Sequence, residues 1–176
     1  MIHRKETTEQ NVAIRTAEQM AVAARTAPKA KGTDNLEIIL VEGEEKKKLA
    51  NEMRKIADEN DAAFFARDAG NIENAQIIFL AGTRIGAVGV KVCSYCGYKD
   101  CEENTRNNGI CSFNPMDLGI ALGSAASIAA DHRCDNRIMF TAGKAAIRLG
   151  FFNTEVRIAC GIPLSISGKS PFFDRK

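Results

Sequence analysis

The residues best suited to chemistry are cysteines. Four of the six fall within one stretch, KVCSYCGYKDCEENTRNNGIC (91–111), as Cys93, Cys96, Cys101 and Cys111, spaced C-x2-C-x4-C-x9-C. Thiolate sulfur is a soft donor that selects iron–sulfur clusters and zinc, and four sulfurs are what a [4Fe–4S] cube requires. Cys93 and Cys96 can clasp one centre from a single turn. Gly97, just behind them, lets backbone amides approach the sulfurs. Structural zinc commonly takes two C-x2-C knuckles, and only one is present. The plant-type [2Fe–2S] order, C-x4-C-x2-C, has the two gaps reversed. The residues alone therefore rank an iron–sulfur centre ahead of zinc and leave both open. Cys134 and Cys160 sit in apolar surroundings, HRCDN and RIACGIP, and read as packing residues.

Other reactive groups are sparse. His3 lies in a polar terminus and His132 at a helix end, beside Asp131 and near Asp135. Neighbouring helical side chains point apart, and a helix-end histidine is favoured by the helix dipole without any catalytic role. There is no P-loop and no G-x-S-x-G elbow. GTRIGAVGV (82–90) has spaced glycines but no G-x-G-x-x-G, so no dinucleotide site is read there.

Those residues need a scaffold, and 176 residues suffice for one domain, 1–176, with a cysteine-rich loop at 91–115. The composition is 45% hydrophobic and 26% charged, so the fold does not need a metal to form. A net charge of +2 gives no grip on nucleic acid or a membrane surface. No apolar run reaches the roughly 18 residues of a membrane span, and MIHRKETTEQN has no apolar leader core. A cytoplasmic location is expected, where thiols stay reduced and clustered cysteines bind metal or do redox chemistry.

Periodicity predicts an alanine-rich helix over Thr8–Ala27, ended by Pro28 and the loop PKAKGTDN. LEIILVEG reads as a strand buried on both faces. A helix over Glu44–Asn60 places Leu49, Met53 and Ile56 inward and Lys46, Lys47 and Lys48 in water. DAAFFARDAGNIENA reads as helix then turn, and QIIFLAG as a second strand beside the first in the centre of a sheet. After the cysteines, Asn114 is expected as N-cap with Pro115 at the first helical position of PMDLGIALGSAASIAADHR. NRIMF is a short strand, TAGKAAIRLG a helix closed by Gly150, TEVRIACGIPL the last strand, and SISGKSPFFDRK an irregular tail. Small residues on the first and central helices suit close contact with another helix.

Two resemblances emerge. CSYCGYKDCEENTRNNGIC resembles the four-cysteine [4Fe–4S] domain of electron-transfer subunits in anaerobic metabolism, with Cys93, Cys96 and Cys101 matching residue for residue. That family has a Cys-Pro step after its fourth cysteine, where this chain has Cys111-Ser112. The flanks AARTAPKAKGTDNLEIILVEGEEKKKLA, MDLGIALGSAASIAADHR and IACGIPLS are similar to the nitroreductase pattern. Together the two identify the chain as a member of the DUF2148 family of ferredoxin-domain proteins. The resemblance implies an α+β, nitroreductase-like three-layer arrangement: a central mixed sheet with an inserted cysteine-rich loop. It also implies a homodimer and FMN held by basic residues, for which the candidates are Arg4, Lys29, Lys31, Lys169 and Arg175. The flavin loop of nitroreductases carries Ser, Asn and a Gln-Pro-Trp step, whereas this chain reads PKAKGTDNLE.

The expectation is a [4Fe–4S] electron-transfer protein, coupled to a bound flavin, that serves a redox partner protein or a small-molecule electron acceptor. An FMN-dependent reductase and a zinc-stabilised binding module are the alternatives.

Overall fold

The computed structural model describes residues 2 and 4–173. The elements run α1 (Lys5–Thr26), β1 (Leu36–Val41), α2 (Gly43–Asn60), α3 (Ala63–Glu73), β2 (Ile77–Arg84), α4 (Cys101–Arg106), α5 (Phe113–Asp131), β3 (Asp135–Asn136), α6 (Phe140–Arg148) and β4 (Val156–Ser165). This is the order read from periodicity, with α4 added inside the cysteine loop.

The strands form one sheet, β1-β2-β4-β3, and every described pairing is antiparallel, where a mixed sheet is expected from the resemblance. Alternation along β2 sets the layers, because successive side chains of a strand point to opposite faces. Ile78 and Leu80 join Leu49, Met53, Ile56, Phe65 and Ile72 under α2, α3 and α6. Ile77, Phe79 and Ala81 face the other way, onto α1 and α5. Both helical layers mix large side chains with alanines. In the second, Ala13, Ala17 and Ala24 of α1 and Ala121, Ala125 and Ala129 of α5 are all buried. Alanines let the two helices approach closely enough for Ser124 Oγ to donate to Ala23 O at 3.1 Å.

Several local expectations are corrected. β2 is central, but β1 is an edge strand whose residues before Val41 are only half-buried. An apolar run marks a strand without saying on how many sides it has neighbours. Lys46 does not face water: it is half-buried, and its ammonium donates to Glu73 O, at the end of α3, and to Ala75 O just past it. Burial lowers its pKa. The strand expected over NRIMF shrinks to Asp135–Asn136, followed by an isolated bridge between Met139 and Gly161. Asn114 is no N-cap. Ser112 holds that position and Asn114 is buried in the first turn of α5. No described helix is long and apolar enough to cross a membrane.

Candidate metal centre

The cysteine loop leaves the sheet at the end of β2 and returns at the start of α5, and two buried polar residues of α5 fix that junction. Asn114 Oδ1 accepts from Gly86 N at 3.0 Å, tying the outgoing strand to the returning helix. Both carboxylate oxygens of Asp117 accept from Ala30 N at 3.1 Å, holding the segment after α1 against the same helix. Lys31 Nζ reaches Gly89 O at 3.4 Å. These anchors were not singled out by sequence reading. Asn114 was assigned a capping role, and nothing local distinguishes Asp117 from a surface carboxylate.

Beyond the anchors the backbone coils tightly. Val92, Ser94 and Gly97 adopt φ of 55°, 51° and 84°. Left-handed φ is strained for a β-branched residue such as Val92. Gly97 N donates to Ser94 O at 3.0 Å, and Ser94 Oγ to Lys99 O at 2.9 Å, closing the turn that carries Cys93 and Cys96. Asp100 then caps α4: its Oδ1 accepts from Glu103 N at 2.8 Å, while Glu103 Oε2 accepts from Lys99 N at 2.7 Å. This is a capping box set back by one residue. The spacing D-x-x-E at 100–103 was the signal that could have revealed α4. Cys101 is the first residue of that helix.

Cys93, Cys96 and Cys101 are half-buried and line one cavity of about 330 Å³, together with Lys91, Lys99, Asp100 and Glu102. Cys111 is buried and does not line it. Its carbonyl accepts from Asn114 N at 3.0 Å, in the turn that opens α5. Among the described residues, no three His, Cys, Asp or Glu side chains are gathered closely enough to hold a metal ion. Three cysteines lining one cavity nonetheless supply the soft donor set of an iron–sulfur or zinc centre.

The remaining cysteines lie elsewhere. Cys134 is buried beside Thr16 Oγ1 at 3.6 Å, and burial pushes its thiol pKa up against the opposing effect of that contact. Burial also raises the pKa of Cys160, within β4. His132 is the C-cap of α5 and lies exposed. His3 is outside the described residues.

The flavin candidates separate along α1. At about 1.5 Å per residue its 22 residues span roughly 33 Å. Arg4 caps one end, while Lys29 and Lys31 follow the other. Lys29 is spent on the helix itself, since its Nζ donates to Arg25 O and Ala27 O at 2.8 Å. Burial, and then Arg25 nearby, lower its pKa against Asp117. Lys169 lies in the tail, where its carbonyl accepts from Ser167 Oγ at 2.6 Å. That tail follows β4, and Gln76, next to the start of β2, exchanges side-chain hydrogen bonds with Ile166. Gln10 of α1 bonds Glu42, just past β1, so Arg4 and Lys169 belong to the same end of the sheet. Lys29 and Lys31 belong to the opposite end. Arg175 is outside the described residues.

A three-layer α+β scaffold interrupted by a cysteine-bearing loop is thus what the chain builds, and the scaffold is nitroreductase-like. It superposes on an FMN-bound nitroreductase from Desulfitobacterium hafniense with TM-score 0.60 and 16% identity, covering 96% of this chain and 81% of the other. An FMN-dependent nitroreductase from Clostridium difficile R20291 matches with TM-score 0.55 and 16% identity, over 96% and 79% of the two chains. A BluB-like flavoprotein from Clostridium difficile 630 gives 0.53 and 14%, over 92% and 82%. At such identities the likeness shows the fold alone. In sequence, an uncharacterized protein from Archaeoglobus fulgidus is 44% identical over 165 residues, covering 89% of this chain and 88% of the relative. The family described as uncharacterized protein containing a ferredoxin domain (DUF2148) matches residues 107–175. The chain belongs to that family. The matched segment includes Cys111 but not Cys93, Cys96 or Cys101.

Proposed function

We propose that the chain is an iron–sulfur redox protein in which Cys93, Cys96 and Cys101 hold a [4Fe–4S] cluster with Cys111 as fourth ligand. The supporting observation is the shared cavity of the first three sulfurs, in a loop whose strained turns are closed by its own hydrogen bonds. A bound cluster would supply one-electron transfer. The chain's part is to orient the sulfurs through the Ser94–Gly97 turn and the Asp100 cap, and to keep the loop registered on the scaffold through Asn114 and Asp117. The family's ferredoxin-domain description supports the same reading.

FMN is the second element. Solved proteins of this fold are described with FMN, and a flavin beside a cluster would link one-electron and two-electron chemistry. Because α1 holds Arg4 and Lys31 at opposite ends, one copy cannot place both on one phosphate. A homodimer can bring unlike ends of two copies together. Its contact surface would include Met116 and Ile120, which are exposed one helical turn apart on α5, and Tyr95, whose ring centroid lies 6.2 Å from that of Phe113. The reaction partner is a redox protein or a small electron acceptor in the cytoplasm.

Metal, acid-labile sulfide and flavin analysis of protein purified without oxygen tests this reading. The expected result is about four irons and four sulfides per chain, falling to background in Cys96→Ser and unchanged in Cys160→Ala. Zinc near one per chain with no iron would make the loop a zinc-stabilised module instead. Yellow colour that survives iron removal would make flavin the principal cofactor.

A further inference from the structure

The polar cleft at the far end of α4 belongs to no site described so far. Its volume is about 540 Å³, within the range of small-molecule sites. One wall is the end of the sheet, where Arg84 ends β2 and Arg157 lies near the start of β4. The other is the C-terminal half of α4 and its following turn, with Thr105 and Asn108. Arg84 is held in place: Nη1 approaches Glu155 Oε2 at 3.5 Å and Nη2 donates to Asp34 O at 3.3 Å. The guanidinium of Arg157, exposed in the same cleft, makes no hydrogen bond or ion pair among the described residues. Glu155 is the one carboxylate in the lining, so the cleft carries an uncompensated guanidinium. Asn35 and Thr154 add neutral polar side chains, and no aromatic side chain lines it.

We propose that this cleft binds a small, hydroxylated aliphatic oxyanion. A guanidinium pairs bidentately with carboxylate or phosphate, and the amide and hydroxyl side chains match a ligand's hydroxyl groups. Without an aromatic platform the site disfavours a stacked ring such as a flavin or nucleobase. Helix α4 is the wall shared with the cysteine cavity, since Asp100, Cys101 and Glu102 line one side while Asn104 and Thr105 line the other. Its six residues measure about 9 Å, so a ligand here lies one short helix from Cys101. Binding does not depend on whether the cysteines hold iron.

Calorimetric titration of the full-length protein at low ionic strength provides the test, with malate, ribose 5-phosphate and inorganic phosphate as probes. One of the two organic probes is expected to saturate at one per chain, and which one decides between carboxylate and phosphate. Arg157→Ala should weaken it at least about tenfold, Arg157→Lys should weaken it less, and Arg15→Ala, on the exposed side of α1, should leave it unchanged. Arg157 is exposed, so an unaltered circular dichroism spectrum is expected for its variants. No saturation by either organic probe up to about 10 mM overturns the proposal, as does equal weakening by Arg15→Ala and Arg157→Ala.

Discussion

The contact of α6 with β4 and the cysteine loop both use glycine, for opposite reasons. An ideal Cβ on Gly143 of α6 would stand 1.9 Å from Ala159 O, and one on Gly161 of β4 would stand 2.8 Å from Ala142 Cβ. There the helix lies directly on strand backbone, and glycine is present because nothing larger fits. In the loop, a Cβ on Gly97 would meet no heavy atom within 4 Å. That residue is required by its φ of +84°. The cysteines divide in the same way: Cys134 and Cys160 pack in the layer of α1 and α5, while Cys93, Cys96 and Cys101 line a cavity. Packing determines the scaffold; backbone conformation and short-range hydrogen bonds determine the loop. A loop of that kind has room for an occupant, and a change within it need not unfold the rest.

The sharpest break of this comparison comes from adding one methyl group to each region. Gly143→Ala drives Cβ into a backbone carbonyl that cannot move without shifting β4, the strand paired with both β2 and β3. The expected loss exceeds about 3 kcal/mol, at or beyond the usual range for overpacking, read as a fall in the urea midpoint or as failure to fold. Gly97→Ala meets no atom and should cost about 1–2 kcal/mol of local left-handed strain. Because the open space around Gly97 lets the loop relieve that strain by local rearrangement, the urea midpoint should fall far less than for Gly143→Ala, while iron retained after anaerobic reconstitution should drop. If the two substitutions shift the urea midpoint equally, the division between regions is wrong.

Which parts of this arrangement could be read beforehand follows from the range of the forces involved. The helices over Lys5–Thr26 and Gly43–Asn60 were legible because their inward side chains recur within a few residues. The three cysteines of the cavity were legible for the same reason: the last lies eight positions after the first. Asn114-Pro115 misled because Asn114 is claimed by Gly86, 28 residues away, and the helix begins before it. β1 was read as central because its apolar run resembles that of β2, and only pairing reveals which of them is the edge. Arg84 and Arg157 share a cleft because antiparallel β2 and β4 bring together the end of one and the start of the other. No spacing in the chain announces such a meeting.

The smallest expected effect sharpens the comparison from the thiol side. Burial raises the pKa of Cys134 and of Cys160, so the fold favours their neutral form. On unfolding, both return to the ordinary thiol value of about 8.5. Below that pH both states are protonated and the stabilisation is fully present. Above it the unfolded chain sheds protons that the folded chain retains, so stability falls as pH rises until the folded thiols also ionise. The slope is at most about 1.4 kcal/mol per pH unit for each thiol. Urea midpoints at about pH 7.5, 8.5 and 9.5 should therefore decline less steeply in a Cys134→Ala/Cys160→Ala double variant than in the unaltered protein. Comparing the two slopes cancels the lysine and tyrosine titrations that both proteins share. An identical slope would mean that these two sulfurs ionise as freely in the fold as out of it, and that their burial does not set them apart from the loop.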